Sequence, residues 1–272
     1  MREPVDIEAI DIERRFSGVH RLYGEAGLAK LQSSHVVVIG IGGVGSWAAE
    51  ALARNAVGMI TLIDLDNIAE SNVNRQIHAI DANFGKAKVT AMQERIHEIN
   101  PLCSVHEIED FVTTGNINAI LDFDCDVILD CTDSTYAKMA LAIYCRDKQR
   151  PLMMSGSAGG RLDPTRVKVT DLSAAFGDML LSKVRKQLRQ SHNFPKAPDM
   201  SKRPLKKPKK FGVQCVYSDE LVTTPSEVCD ASGNTSISGL NCAGFGSSVT
   251  VTASMGFAIA QLALNSLSKA TD

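Results

Sequence analysis

The chain has 272 residues, 44% hydrophobic, 22% charged and 5% aromatic, with a formal net charge of -2. This is enough chain for one large domain or two small ones around a buried core; the charge argues against a surface wholly given to a polyanion, and the few aromatics against one built on base stacking. Seven cysteines with no C-x-x-C pair fit free thiols in a reducing compartment, the cytoplasm, and the acidic start MREPVDIEAIDIERR has no apolar core of a signal peptide.

Residues 12–31 read as one or two short helices, and HVVVI (35–39) as an apolar strand that runs straight into glycines. A helix (46–55) and a second strand (59–64) follow. Apolar residues at helical spacing mark 86–99, which Pro101 stops. A weak strand (104–108), a strong one (126–131), a helix (134–148) and a short strand (152–155) complete the series. Strands alternating with helices imply parallel pairing and right-handed crossovers. The expected class is α/β: a doubly wound, Rossmann-like, mostly parallel sheet with helices on both faces and a C-terminal extension.

After Gly156 the pattern changes. A strand is expected over 166–169. Residues 183–210 hold eleven Lys or Arg against Asp199 alone, a net of about +10 in an otherwise acidic chain. Pro195, Pro198, Pro204 and Pro208 make the later part of it a loop. The apolar stretch 243–264 is rich in small residues and reads as a buried helix, with no membrane partner. The chain is therefore read as one domain over 1–272. Its nucleotide-binding core is 12–160, and its C-terminal part, 161–272, carries a basic loop (195–211) and the terminal helix.

Gly40, Gly42 and Gly45 form G-x-G-x-x-G between a strand and a helix. The first allows a tight turn, the second a close approach of backbone to phosphate, and the third close packing of helix on strand. The helix N-terminus adds unpaired N–H groups and a positive dipole end. Asp64, at the end of the next strand, can accept hydrogen bonds from ribose hydroxyls. These residues fit NAD, FAD and ATP equally. Arg75, in SNVNRQ, and Lys88, in GKAK, are more than a dehydrogenase needs, but they suit a reaction that moves charge on a triphosphate. Asp130 and Asp133 of DCTDS stand at a strand end, where open α/β sheets bind ligands. A carboxylate beside a triphosphate most simply holds magnesium.

The run GIGGVGSWAAEALAR, ITLIDLD, SNVNRQ, GKAK and LDCTDS resembles the adenylating superfamily of ubiquitin-activating enzymes and bacterial sulfur-carrier adenylyltransferases over roughly 12–160. The resemblance implies that ATP and magnesium are used. By it Gly43 contacts the nucleotide and Asp64 holds the ribose. Asn72, Arg75 and Lys88 bind phosphates, with Arg75 and Lys88 catalytic. Asp133 coordinates magnesium, with Asp130 a weaker second, and Ser134 stands where that superfamily usually has Asn. The sulfur-carrier branch also has two zinc-binding C-x-x-C pairs, absent here, and an arginine that enters the partner subunit's site. Here Arg15 or Arg21 would supply that arginine, and a homodimer is implied.

RRFSGVHRLYGEAGL, NRQIHA, GSAGGRLDPTRVKVTDLS and NCAGFGSS resemble the tRNA threonylcarbamoyladenosine dehydratases over nearly the full length. That family implies adenylation of the threonyl carboxylate of a modified adenosine in tRNA, ring closure by the carbamoyl nitrogen or oxygen, and loss of AMP. Lys202, Arg203, Lys206, Lys207, Lys209 and Lys210 then become an electrostatic footprint for the tRNA backbone. The alternative is activation of the C-terminus of a ubiquitin-like sulfur carrier. Cys242 is the best-placed thiol for a covalent intermediate and His78 could touch substrate. The sequence leaves open a monovalent-ion site and a sulfur- or electron-transfer protein partner.

Overall fold

The computed structural model describes residues 11–198, 208–222 and 245–269. Seven strands form one sheet: β1 (His35–Ile39), β2 (Met59–Ile63), β3 (Ser104–Ile108), β4 (Val127–Asp130), β5 (Leu152–Ser155), β6 (Val167–Asp171) and β7 (Gln214–Ser218), in the order β3-β2-β1-β4-β5-β7-β6. All neighbours pair in parallel except β6 with β7. The doubly wound expectation is met, and the antiparallel pair at one edge is the C-terminal extension of the sheet. Seven α-helices accompany it among the described residues: α1 (Ile12–Ser33), α2 (Gly45–Arg54), α3 (Lys88–Ile99), the single turn α4 (Ile117–Ile120), α5 (Thr135–Asp147), α6 (Met179–Ser191) and α7 (Val249–Leu267).

The central strands are apolar throughout because both faces are covered. Val36 and Val38 of β1 join one buried cluster with Leu52 of α2, Met92 of α3 and Met255 and Ile259 of α7. Val37 and Ile39 turn the other way, to Leu141 of α5 and Leu181, Val184 and Leu188 of α6. The alternation of side chains along one strand thus builds both layers.

Most element ends moved by one or two residues, but the terminal helix, read over 243–264, is Val249–Leu267. The third helix begins at Lys88 rather than at 86, because Gly85 has φ +81 and Ala87 bridges to Asn67. Three of these elements were not anticipated: the single turn α4, α6, which runs into the basic stretch, and β7. The helix α7 is long and apolar enough to cross a membrane. It lies instead against α2, where a Cβ on Gly256 would sit 2.6 Å from the Val44 carbonyl oxygen and 2.7 Å from Trp47 Cβ.

Candidate active site

The chain winds away in opposite directions from β1 and β4, which lie side by side. Open α/β sheets place ligands at such a switch point, beyond the carboxyl ends of the strands. A cavity of about 840 Å³ lies there, between the loop after β1 and the loop after β4.

The first loop is fixed by its glycines. Gly40 has φ +85, and a Cβ there would sit 3.0 Å from the backbone of Cys131 and Thr132, so the two loops touch. A Cβ on Gly45 would fall 1.9 Å from the Gly40 carbonyl oxygen. Gly45 therefore serves packing and does not line the cavity, whereas Gly40, Gly42 and Gly43 do. No side chain caps the start of α2. Its first-turn N–H groups and dipole end remain a site for an anion.

Asp64 follows β2 and reaches back under this loop. Its carboxylate accepts from the Ile41 N–H at 2.6 Å and the Asp66 N–H at 2.9 Å. Burial raises its pKa, while the Lys88 ammonium opposes the rise. Lys88 Nζ lies 2.7 Å from Asp66 Oδ2 and 3.8 Å from Asp64 Oδ1, and its side chain is only 7% exposed. A buried ammonium facing an open cavity is a strong electrostatic donor. Asn72 is buried and accepts from the Ala69 N–H at 3.1 Å, which leaves its amide nitrogen for a ligand.

Arg75 is steered from three sides. Its guanidinium donates to the Ser71 carbonyl at 2.8 Å and Asn74 Oδ1 at 3.0 Å, and its own carbonyl accepts from Trp47 Nε1 at 3.0 Å. A Cβ on Gly43 would lie 3.2 Å from Thr252 Cγ2 and 3.3 Å from Arg75 Cγ, so a larger residue there would crowd the arginine side chain as it crosses the loop. Gln76, not singled out as a site residue from the sequence, also lines the cavity. Its Oε1 is buried without a hydrogen-bond partner. Periodicity carries no signal for such a residue; only its place in SNVNRQ could have raised it.

Asp133 is exposed in the loop after β4 and lines the cavity beside Ser134. Ser134 also caps α5, accepting from the Ala137 N–H at 3.3 Å. Asp130 must be corrected. Its side chain and that of Lys138 are both 0% exposed, and they form an ion pair at 3.1 Å. Its Oδ1 accepts from Thr132 N and Oγ1 as well, at 3.1 and 2.8 Å. Asp130 is thus buried behind the loop, outside the cavity lining, and is no metal ligand.

His78 holds Ile41 through Nε2, 3.0 Å from its carbonyl oxygen, and burial pushes its pKa down to about 4. It is a neutral brace of the glycine loop and lies outside the cavity lining. Arg15 and Arg21 are both exposed on α1, but Arg15 donates to the Ile99 carbonyl at 2.7 Å, at the end of α3, whereas Arg21 has no hydrogen bond or ion pair among the described residues. Cys131 lines the cavity, but burial pushes its thiol up to about 12, against a nucleophilic role. Cys242, Lys202, Arg203, Lys206 and Lys207 lie outside the described residues; Lys209 and Lys210 are described and exposed.

Within the basic stretch, two cations turn inward. Arg185 donates to the Leu172 and Ala175 carbonyls and lies over the Phe176 ring. Arg189 donates to the carbonyls of Pro195 and Ser173, over the Phe211 ring.

The ThiF family model matches residues 16–272. The chain is similar to the tRNA threonylcarbamoyladenosine dehydratase of Escherichia coli, with 42% identity over 93% of each chain. It is 38% identical to that of Bacillus subtilis over 76% of this chain and 75% of the relative. The crystal structure of the Escherichia coli enzyme in complex with ATP superposes with a TM-score of 0.81, at 40% identity over 94% of both chains. An adenylyltransferase and sulfurtransferase of Drosophila willistoni is 35% identical, but over 50% of this chain and 29% of its own.

Proposed function

The chain belongs to the ThiF family, and from that premise we propose that it dehydrates threonylcarbamoyladenosine in tRNA by spending ATP on the threonyl carboxylate. The observation that carries this is a single cavity in which the glycine loop, Asp64, Asn72, Arg75, Lys88 and Asp133 converge. It occurs in a chain whose likeness to the dehydratases extends past the nucleotide core to nearly full length.

Asp64 accepts from the ribose, and Phe111 and Val112 offer an apolar wall for the adenine. Gly42, Gly43 and the start of α2 receive phosphate oxygens. Arg75 and Lys88 face the charge that builds up as a carboxylate oxygen bonds the α-phosphorus and the bond to pyrophosphate breaks. The carbamoyl group then attacks the acyl carbon and loses a proton. AMP departs with the former carboxylate oxygen, so the nucleoside has lost one water.

Magnesium fits here. Among the described residues no group of three His, Cys, Asp or Glu could hold a metal, and magnesium commonly takes one or two carboxylates together with substrate phosphates. Asp133, exposed at the cavity in the loop after β4, is the residue that would hold the ion, which would supply positive charge to the triphosphate.

The active form is read as a homodimer, with Arg21 rather than Arg15 the arginine available to a partner's cavity. Leu22 and Phe257, 74% and 47% exposed, offer apolar surface on α1 and α7. Lys209 and Lys210, with the neighbouring 202–207 segment, are the proposed backbone contact for tRNA, and the cytoplasm is the compartment.

The test is AMP release by the purified protein with and without tRNA bearing threonylcarbamoyladenosine, with the nucleoside followed by mass. AMP formed together with loss of one water's mass supports the reading. AMP formed only with a ubiquitin-like protein present would replace it by carrier activation.

A further inference from the structure

The cavity has two walls, and the nucleotide accounts for one. The opposite wall is built by Ser155 at the end of β5 and Gly156, Ser157 and Ala158 after it, by Leu180 and Lys183 of α6, and by Tyr136 of α5. Lys183 falls in the basic stretch, yet α6 carries it to the cavity while Arg185 and Arg189 on the same helix turn inward. Among the described residues, Lys183 has no hydrogen-bond or ion-pair partner and is exposed. Tyr136 is 78% exposed at the same mouth.

This wall is held rigid. Asp178, the N-cap of α6, is 1% exposed and accepts from the Leu181 N–H at 2.9 Å, the Ser157 N–H at 2.8 Å and Arg161 Nη1 at 3.1 Å. A Cβ on Gly156 would sit 2.4 Å from Asp178 Oδ2, so glycine is what allows the contact. One carboxylate therefore ties the end of β5 to the start of α6. It fixes Lys183 in the second helical turn, at the cavity lining.

We propose that Lys183 and Tyr136 form the subsite for the acyl substrate: Lys183 binds an anionic oxygen of the modified nucleotide, and the Tyr136 ring stacks on its base. The assignment rests on the dehydratase reading. It explains why an unpaired cation and an exposed aromatic ring stand together in a chain with few aromatics. A cation gives the anion contact and a ring face gives sequence-tolerant stacking. The anion is either the threonyl carboxylate or a backbone phosphate.

The experiment compares wild type with Lys183→Gln, Lys183→Arg and Tyr136→Ala. It measures KM for modified tRNA, ATP affinity by calorimetry, and binding of unmodified tRNA. Lys183→Gln and Tyr136→Ala should each raise KM for modified tRNA by about tenfold. ATP affinity should stay within about twofold, the order of an indirect effect, and Lys183→Arg should restore most of the loss. Weaker binding of unmodified tRNA by Lys183→Gln assigns the anion as a backbone phosphate; unchanged binding assigns it as the carboxylate. An unaltered KM, or a parallel fall in ATP affinity, overturns the subsite. A wild type that leaves the nucleoside mass unchanged overturns the dehydratase reading, and the subsite with it.

Discussion

Two lysines meet aspartates at the same end of the sheet, with opposite consequences. Lys88 joins Asp64 and Asp66 beside β2, and Lys138 joins Asp130 at the end of β4. The first cluster opens on the cavity; the second is sealed, with both side chains fully buried. Residue type and strand position are alike, so access alone decides which pair does chemistry and which braces a loop. A sealed pair is not strong evidence of added stability, but losing one member is costly, because it strands a charge out of water.

That contrast can be broken at either end. Lys138→Ala should destabilise the protein by about 3–5 kcal/mol, the usual cost of stranding a buried charge, read as a lower denaturation midpoint. Lys88→Ala should instead lower kcat by about 10²–10³-fold, the scale of losing one preorganised donor. It should leave the denaturation midpoint closer to wild type than Lys138→Ala does, since Asp66, the nearer partner, is more than half exposed and rehydrates, and the buried Asp64 keeps its two backbone N–H donors. The contrast collapses if Lys138→Ala folds as stably as wild type.

The smallest effect concerns His78, buried with its carbonyl partner but without an ion pair. Its folded pKa, about 4, lies below the ordinary 6.5, so between these values the unfolded chain binds a proton that the folded chain refuses. Stability from the neutral ring is fully present above pH 6.5 and is lost as pH falls toward 4, by up to about 3 kcal/mol. Denaturation of wild type and His78→Gln across that range should show a flatter pH dependence for the variant. Equal slopes would mean that the ring takes up its proton as readily in the fold as in the unfolded chain.

The sequence made the nucleotide half readable because its constraints are local. Gly40 needs its positive φ, and Gly45 its space against the Gly40 carbonyl, within a few residues, and Asp64 stands one strand further on. The order β1 to β5 followed from apolar runs and helical spacing for the same reason. The second wall was harder. Counting charge over 183–210 hid the apolar spacing of Leu180, Leu181, Val184 and Leu188, which makes α6. Asp130 and Asp133 could not be ranked from DCTDS, since the burial of one depends on Lys138 in the next helix. Arg15 and Arg21 were likewise equal until α3 came near enough for Arg15 to reach its last carbonyls. Long-range packing decided each of these.

The seat of α7 has a consequence for the order of biosynthetic events. Thr252 Oγ1 lies 3.5 Å from the Arg75 carbonyl, 177 positions away, and Asn74 Nδ2 donates to the Ser247 carbonyl. The phosphate-binding loop is thus buttressed by residues that leave the ribosome long after it. A nascent chain can pair β1 to β5 early, and Trp47 can hold the Arg75 carbonyl, but the arginine loop lacks these two further contacts until α7 docks, and contacts of such separation form late. Competence to bind the triphosphate should then emerge in a single late step, protecting the cell's ATP from a half-made enzyme.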